Sequence, residues 1–259
     1  MLYDKYVKMH IKTSAQYKAN RAMLAISTIV ISVSELISIY LLFSRFESVG
    51  YWGFYEAALM FGAITFIYSF VECFARGFDE FADIVRSGEL DRFLIRPVNI
   101  FYQVFCYKIE FTKLPKSIFG ILICIVCLCN MNIAWTFAKV IVLISMFICG
   151  CCVILGVMMI GAGISVFTIE NLEFINIFTN GAKELAYYPI DIHNKWIAKV
   201  FTFIVPIACF NYLPLSFIMG YGSLPQLVYA LSPLIGMLFI IPCILFFKWS
   251  LKKYQGTGT

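Results

Sequence analysis

Cysteine and histidine are the side chains in this sequence with the clearest potential for chemistry, because both bind metal ions. The 259 residues include ten cysteines, some of them clustered as CIVCLC (Cys124–Cys129) and CGCC (Cys149–Cys152). A structural zinc site would place such cysteines in polar surroundings, usually with histidine partners. Here most cysteines lie inside apolar runs, and the two histidines are isolated at His10 and His193. We therefore predict that the cysteines pack as small apolar side chains and that the chain has no metal site.

Motifs for catalysis or nucleotide binding are also missing from the sequence. A P-loop has the pattern G-x-x-x-x-G-K-[ST], and the GAKEL run at Gly181 lacks both the leading glycine and the hydroxyl residue. An enzyme embedded in a membrane would need histidine, aspartate, glutamate or serine clustered at one depth. The two histidines, His10 and His193, are far apart in the sequence and do not form such a cluster with each other. We predict no catalytic residue, and we expect any energy source to lie on a separate chain.

Glu35 is the most informative polar residue within the apolar segments. Its neighbours in the first of these segments include Ser27, Thr28, Ser32, Ser34 and Ser38. An ionisable group at that depth is expensive and usually faces the interior of a helix bundle. Glu35 either lines a path for a cationic or polar molecule or forms an inter-helix hydrogen bond that holds subunits together. If Phe167–Pro189 is a span, a second polar stripe is formed by Asn171, Asn176, Thr179 and Asn180, and the same two interpretations apply to it.

The elements that carry these residues are predicted to be membrane spans. The chain is 61% hydrophobic and 14% charged, whereas a soluble domain is nearer half apolar and a quarter charged. Runs close to the ~20 residues needed to cross a bilayer occur at Met23–Phe43, Phe54–Phe74, Ser117–Ile133, Lys139–Val166 and Gln226–Trp249. The basic residues 1–22 are predicted to form an amphipathic helix along the membrane surface. The fold class is therefore an all-α polytopic membrane protein.

Lysine and arginine predict the orientation of these spans. Five lie in the N-terminal segment, seven in the connection Arg76–Lys116 and three in the C-terminal tail. The short connection after the first span holds only Arg45, and Lys139 alone follows the third span. We predict that both termini and the connection are cytoplasmic, in an inner or plasma membrane.

The position of the fifth span is ambiguous. The segment Phe167–Pro189 is only moderately apolar, whereas Trp196–Gly220 is strongly apolar but is interrupted by Pro206, Asn211 and Pro214. Proline breaks helix hydrogen bonding, and interrupted backbone at membrane depth is tolerated where it is buried in protein or lines a cavity. Either segment is compatible with a fifth span, and the second is also compatible with a re-entrant pair of half-helices.

The densest charge lies in the connection, in the stretch RSGELDRFLIRPVN. Upstream of it, Phe78, Phe81, Ala82 and Val85 share one face of a helix that Gly88 is placed to end. A second helix follows, with Leu90, Phe93 and Leu94 on one face, and it stops before Pro97. The pattern predicts a short helix–turn–helix, which is either a solvated amphipathic connection or a docking element with Leu90, Phe93 and Leu94 as its contact face.

This stretch resembles the R-x-G-x-L-D-x-x-L-x-R-P signature of ABC-2 family transporter permeases, in the branch with short membrane subunits. The matching residues are Arg86, Gly88, Leu90, Asp91, Leu94, Arg96 and Pro97. The block Tyr187–Gly220 is similar to the Y-P … I-P … Y-x-P pattern that precedes the last span in this branch. The tail KWSLKKYQGTG resembles the usual ending of the family.

The resemblance implies a single permease domain over residues 1–259 with six transmembrane helices. The connection between spans two and three (residues 75–100) would form coupling helices that sit in a cleft of a cytoplasmic ATPase. The implied coupling residues are Asp79, Arg86, Gly88, Glu89, Leu90, Asp91, Arg92, Phe93, Leu94, Arg96 and Pro97. Phe167–Pro189 becomes the fifth span, and residues 190–222 become a re-entrant extracellular region.

The resemblance also implies partners, because one permease cannot enclose a path alone. We expect an ATPase dimer that binds ATP and magnesium, a second permease as an identical or paralogous chain, and membrane lipid, but no nucleic acid. The exported substrate would be a drug, a peptide or a lipid-like molecule. Glu35, Asn176 and Asn180 are the candidates for lining the path. The alternatives are an intramembrane channel or scaffold subunit, or a membrane-embedded enzyme.

Overall fold

A computed structural model describes residues 18–46, 48, 51–168, 177–189, 194–221 and 225–254. Every regular element in these residues is a helix, which confirms the all-α prediction for this part of the chain. Five helical stretches are long and apolar enough to cross a membrane: Ala19–Arg45, Phe54–Phe74, Phe111–Asn130, Phe137–Thr168 and Gln226–Lys252. They coincide with the five spans predicted from hydropathy, so the chain is a multi-pass membrane protein.

In chain order the α-helices of the described residues are α1 (Lys18–Arg45), α2 (Phe54–Phe74), α3 (Arg76–Asp79), α4 (Phe81–Arg86), α5 (Glu89–Ile95), α6 (Ile100–Tyr107), α7 (Leu114–Asn130), α8 (Phe137–Thr168), α9 (Ala182–Ala186), α10 (Lys195–Phe203), α11 (Tyr212–Met219), α12 (Gln226–Met237) and α13 (Ile240–Lys252). Short 3-10 turns occur at Phe111–Lys113 and Ile207–Phe210, and a π-helical turn precedes α9 at Ile177–Gly181. Helix α1 begins at Lys18, and the remainder of the predicted surface helix, residues 1–17, lies outside the described residues.

Helix α2 is the centre of the bundle and α1 lies at its edge. In their most apolar stretches 78% of the α2 residues are buried, against 11% for α1. Glycines let α2 approach α7 closely, because a Cβ on Gly120 would lie 2.8 Å from the carbonyl oxygen of Gly62. The core therefore forms around α2, while α1 presents most of its apolar surface away from this chain.

Helix α8 joins the membrane bundle to the connection. Its 32 residues extend about 48 Å at 1.5 Å per residue, which exceeds the ~30 Å hydrocarbon core. It packs against α2, α12 and α13, and it also contacts α3 and α4. We call the end of the bundle that carries α3 to α6 the connection end.

The two segments predicted as candidates for the fifth span, Phe167–Pro189 and Trp196–Gly220, differ in the structure. In the first, α8 continues to Thr168, residues 169–176 lie outside the described residues, and the partly buried α9 follows. The second is interrupted as predicted at Pro206 and at Asn211, whose φ of −128° and ψ of −78° leave the helical region. The prediction for Pro214 is wrong, because this residue lies in the first turn of α11, where proline costs no hydrogen bond.

Candidate functional site

The connection end forms the helix–turn–helix that the sequence predicts. Gly88 adopts a left-handed conformation (φ 72°, ψ 7°), and its N–H donates to the carbonyl of Val85 at 3.1 Å. Glycine takes this conformation without steric cost. Helix α4 therefore ends at Arg86 and α5 begins at Glu89. The first predicted helix is split into α3 and α4 at Glu80, which the periodicity did not indicate.

The apolar face of α3 and α4 packs into this chain. Phe78, Phe81 and Val85 are buried. The ring of Phe78 lies 5.2 Å from that of Phe101 in α6, and the ring of Phe81 lies 5.3 Å from that of Phe247 in α13. Aromatic contacts of this kind add to the free energy of apolar burial. The first two short helices are therefore anchored to the last span and to α6.

The predicted contact face of α5 is only partly available to a partner. Leu90 is 0% exposed and Phe93 8%, and the ring of Phe93 lies 5.9 Å from that of Tyr107. The prediction that these two residues face outward is wrong, because a face with helical periodicity fills the nearest apolar surface, which here is α6. Leu94 and Ile95 do face outward, with exposures of 44% and 84%.

The other predicted coupling residues divide by exposure. Exposed are Arg86, Arg92, Arg96 and Pro97, and partly exposed are Asp79, Gly88, Glu89 and Asp91. Burial, followed by a hydrogen bond to Glu89, raises the pKa of Tyr107 to about 12. Arg86, Arg92, Leu94, Ile95, Arg96 and Pro97 are thus exposed at the connection end, and we call this set of residues the ridge. The structure keeps Glu89 bound to α6.

A cluster of charges at the connection end was missed by sequence reasoning. Arg76 forms ion pairs with Asp79, with Glu80 at 3.1 Å and with Glu110 at 3.2 Å. Lys108 pairs with Glu80 at 2.6 Å. The i, i+3 and i, i+4 spacing of the first two contacts was readable in the sequence. The other two depend on how α6 folds back.

Burial controls the ionisation of this cluster. Burial raises the pKa of Asp79, although the Arg76 guanidinium opposes that shift. Burial also lowers the pKa of Arg76, but Asp79, Glu110 and Glu80 together raise it above its ordinary value. Arg76 is therefore a permanent cation that holds three carboxylates, and it ties α3 to the segment that leads into α7.

Gly77 permits the closest contact at the connection end. A Cβ at this position would overlap the carbonyl oxygen of Val104 and would lie 3.2 Å from the Cβ of Tyr107. Helices α3 and α6 therefore touch through their backbones, and any side chain at Gly77 would force them apart.

Glu35 takes part in a hydrogen bond between helices of this chain. The Tyr187 hydroxyl donates to its carboxylate at 3.2 Å. Lys116, which is buried, interacts electrostatically with both Glu35 and Lys183. The structure therefore shows a contact for the interpretation in which Glu35 forms an inter-helix hydrogen bond. This hydrogen bond lies within one chain rather than between subunits. The hydroxyls of Ser27, Thr28, Ser32, Ser34 and Ser38 bind carbonyls of α1 itself.

The segment that carries Tyr187 is fixed to its neighbours by hydrogen bonds. The Tyr68 hydroxyl donates to the carbonyl of Thr179 at 2.9 Å, and the Asn211 amide donates to that of Ala186 at 2.6 Å. The side chain of Asn180 is exposed, while Asn176 lies outside the described residues. Asn171 also lies outside the described residues, so the polar stripe stays a prediction.

Comparison with known proteins adds one match. A family model described as "ABC-2 family transporter protein" matches residues 29–258. The match covers most of the chain and includes both the ridge and the interrupted segment before the last span. None of the curated proteins matches the chain.

Proposed function

The chain belongs to the ABC-2 family of transporter proteins, and on this premise we propose that it is the membrane-spanning permease subunit of an ATP-driven exporter. The match over residues 29–258 carries the proposal. Its partners are a cytoplasmic ATPase dimer, which binds ATP and magnesium, and a second permease that is an identical or paralogous chain. The exported molecule is a drug, a peptide or a lipid-like compound.

The proposed topology has six spans in one domain over residues 1–259, in the cell membrane, with both termini and the connection end in the cytoplasm. The distribution of lysine and arginine supports this orientation. The interrupted segment 190–222 then forms the re-entrant region on the outer side. Contacts of Trp52 support that placement, because its ring lies 5.4 Å from that of Tyr212 and 5.6 Å from that of Tyr221. Trp52 directly precedes α2, at the opposite end from the connection.

The coupling surface of the proposed permease is the ridge. Arg86, Arg92 and Arg96 offer guanidinium groups that suit carboxylates of an ATPase cleft. Leu94 and Ile95 offer an apolar contact between them. The buried residues Leu90 and Phe93 then hold α5 rigidly, so that force on the ridge is not absorbed by the connection itself.

Two sets of contacts join the connection end to the membrane spans. The first is the Arg76 charge cluster, which joins α3 to Glu110, just before α7. The second is the aromatic contact of Phe78 and Phe81 with Phe247 in the last span. Closure of the ATPase dimer on ATP would therefore displace α2, α7 and α13 together, and the path would open outward.

The hydrogen bond from Tyr187 supports a structural role for Glu35 in this account. Since its carboxylate already has a hydroxyl donor and a nearby lysine, it is less available to a cationic substrate. Asn180, which is exposed, and Asn176 stay candidates for the path.

To test the proposal, the tagged chain is purified in mild detergent. The purified chain and the proteins bound to it are then assayed for ATP hydrolysis. We expect a subunit with Walker motifs to co-purify. Charge reversals at the ridge and its flank, Asp91→Lys and Arg96→Glu, should leave membrane insertion unchanged and separate ATP hydrolysis from transport. Recovery of the chain without an ATPase, in repeated preparations that retain the native lipid, would instead favour a channel or scaffold subunit.

A further inference from the structure

A groove beside the connection is lined in part by two lysines that the proposed permease function does not use. It encloses about 580 Å³ between α13, the start of α6 and the end of α5. Its floor is apolar, with Phe101 on one side and Ile244, Phe247 and Leu251 on the other. Among the described residues, its charged lining residues are Lys248 and Lys252, and Asn99 is a further polar one. The groove is thus largely apolar, and its charge is positive.

The two kinds of lining residue alternate along the second half of α13. Ile244, Phe247 and Leu251 recur at helical spacing, and Lys248 and Lys252 lie on the same side, one turn apart. From Ile244 to Lys252 the helix rises about 12 Å at 1.5 Å per residue. Ile244 and Phe247 therefore lie deeper in the last span than either lysine, whereas Leu251 lies between Lys248 and Lys252 near its terminus. This is the polarity of an amphiphile inserted in one leaflet.

The two lysines have no anionic partner in the described part of the chain. The ion pairs there involve other lysines and arginines. Both lysine side chains are exposed, and no carboxylate of the described residues lines the groove. A lysine at the end of a span keeps its ammonium at the membrane surface, where the anionic headgroups of lipids lie.

We propose that this groove binds an anionic phospholipid. The headgroup phosphate would accept hydrogen bonds from the ammonium groups of Lys248 and Lys252. An acyl chain would cover Phe247 and Ile244 and reach into the bilayer. Leu94 of the ridge also lines the groove, so the bound lipid touches the coupling element as well as the last span. The inference does not depend on which ATPase the chain binds.

The test measures lipid retention by native mass spectrometry of the purified chain, delipidated in detergent and titrated with phosphatidylglycerol or phosphatidylcholine. We expect wild type to retain phosphatidylglycerol and not phosphatidylcholine. The double variant Lys248→Gln/Lys252→Gln should weaken binding roughly thirtyfold, from about fivefold for each lysine near an anionic headgroup. The matched control Lys139→Gln/Lys253→Gln, which removes the same charge outside the groove, should bind as wild type does.

Further arms separate the proposal from its rivals. Lys248→Arg/Lys252→Arg should retain the lipid, because the charge stays. Glycerol 1-phosphate, which has the headgroup chemistry without acyl chains, should not compete; competition at equal concentration would indicate a phosphate site and overturn the proposal. It is also overturned if the glutamine double variant keeps phosphatidylglycerol but loses an associated ATPase, since the groove would then be a protein interface.

Discussion

The ring of Phe247, near the end of the last span, lies 5.3 Å from the ring of Phe81 in the connection, with their planes at 72°. These residues are far apart in the sequence and belong to different parts of the proposed permease, the coupling element and the last span. The contact is buried, with Phe247 1% and Phe81 0% exposed. An edge-to-face aromatic pair of this kind resists separation. The coupling element and the last span are therefore expected to move as one body.

Removing the Phe247 ring should release the connection without unfolding the spans. Phe247→Ala leaves a cavity against Phe78 and Phe81 and should cost about 3 to 5 kcal/mol. We expect faster tryptic cleavage after Arg86 and Arg92, followed by mass spectrometry of the fragments. The neighbouring variant Phe246→Ala is the control and should leave those rates near wild type. Equal cleavage in both variants would mean that Phe247 does not anchor the connection.

A methyl group at Gly77 should separate α3 from α6. The added Cβ meets the backbone of Val104 rather than a side chain that can move, so Gly77→Ala should destabilise by about 1 to 3 kcal/mol or more. The melting temperature in detergent measures the effect. Gly53→Ala is a matched control, because its new Cβ would meet only the flexible end of Glu56. A Gly77→Ala protein that melts as wild type does would contradict the close contact.

Loss of the Arg76 charge should be costly, because three carboxylates share it. Arg76→Gln leaves Asp79, Glu80 and Glu110 near one another without their common partner and should destabilise by about 1.5 to 3 kcal/mol. Arg86→Gln removes an exposed ion pair with Asp83 and should change stability by no more than about 1 kcal/mol. Chemical denaturation of both variants gives the comparison. Similar losses for the two arginines would argue against a cluster centred on Arg76.

The hydrogen bond between Tyr187 and Glu35 can be measured by a double-mutant cycle. Tyr187→Phe removes the donor, and Glu35→Leu removes the acceptor together with its charge. We expect a coupling free energy of about 1.5 to 3 kcal/mol, as for hydrogen bonds to charged groups. Thermal melts of the two single variants and the double variant supply it. A coupling free energy of zero, together with loss of export in Glu35→Leu but not in Tyr187→Phe, would instead support the interpretation that Glu35 lines the path.

The sequence predicted most of the helices, because their signals are local. Each of the five spans is a continuous apolar run. Gly88 marks the turn between α4 and α5, where the backbone φ of 72° favours glycine. The interruption at Pro206 was equally predictable, because proline has no backbone N–H group to donate a helix hydrogen bond. These features depend only on residues within a few positions of each other.

Other features depend on contacts that a sequence pattern does not specify. Periodicity shows that Leu90 and Phe93 share a face, but not that α6 folds back to cover it. The pairing of Arg76 with Glu110 likewise requires α6 to return the chain to the start of α3. The sequence could identify Glu35 as an ionisable residue within a span, but its donor, Tyr187, lies 152 residues further along the chain.

The central claim is that the ridge contacts an ATPase, and site-specific photo-cross-linking tests it most directly. A benzophenone amino acid would replace Ile95, which is 84% exposed on the ridge, or Phe137, which is 82% exposed at the other end of the bundle. Cells would be irradiated and the adducts identified by mass spectrometry. We predict that position 95 captures a subunit with Walker motifs and that position 137 does not. Capture of no ATPase at position 95, or equal capture at both positions, would contradict the account.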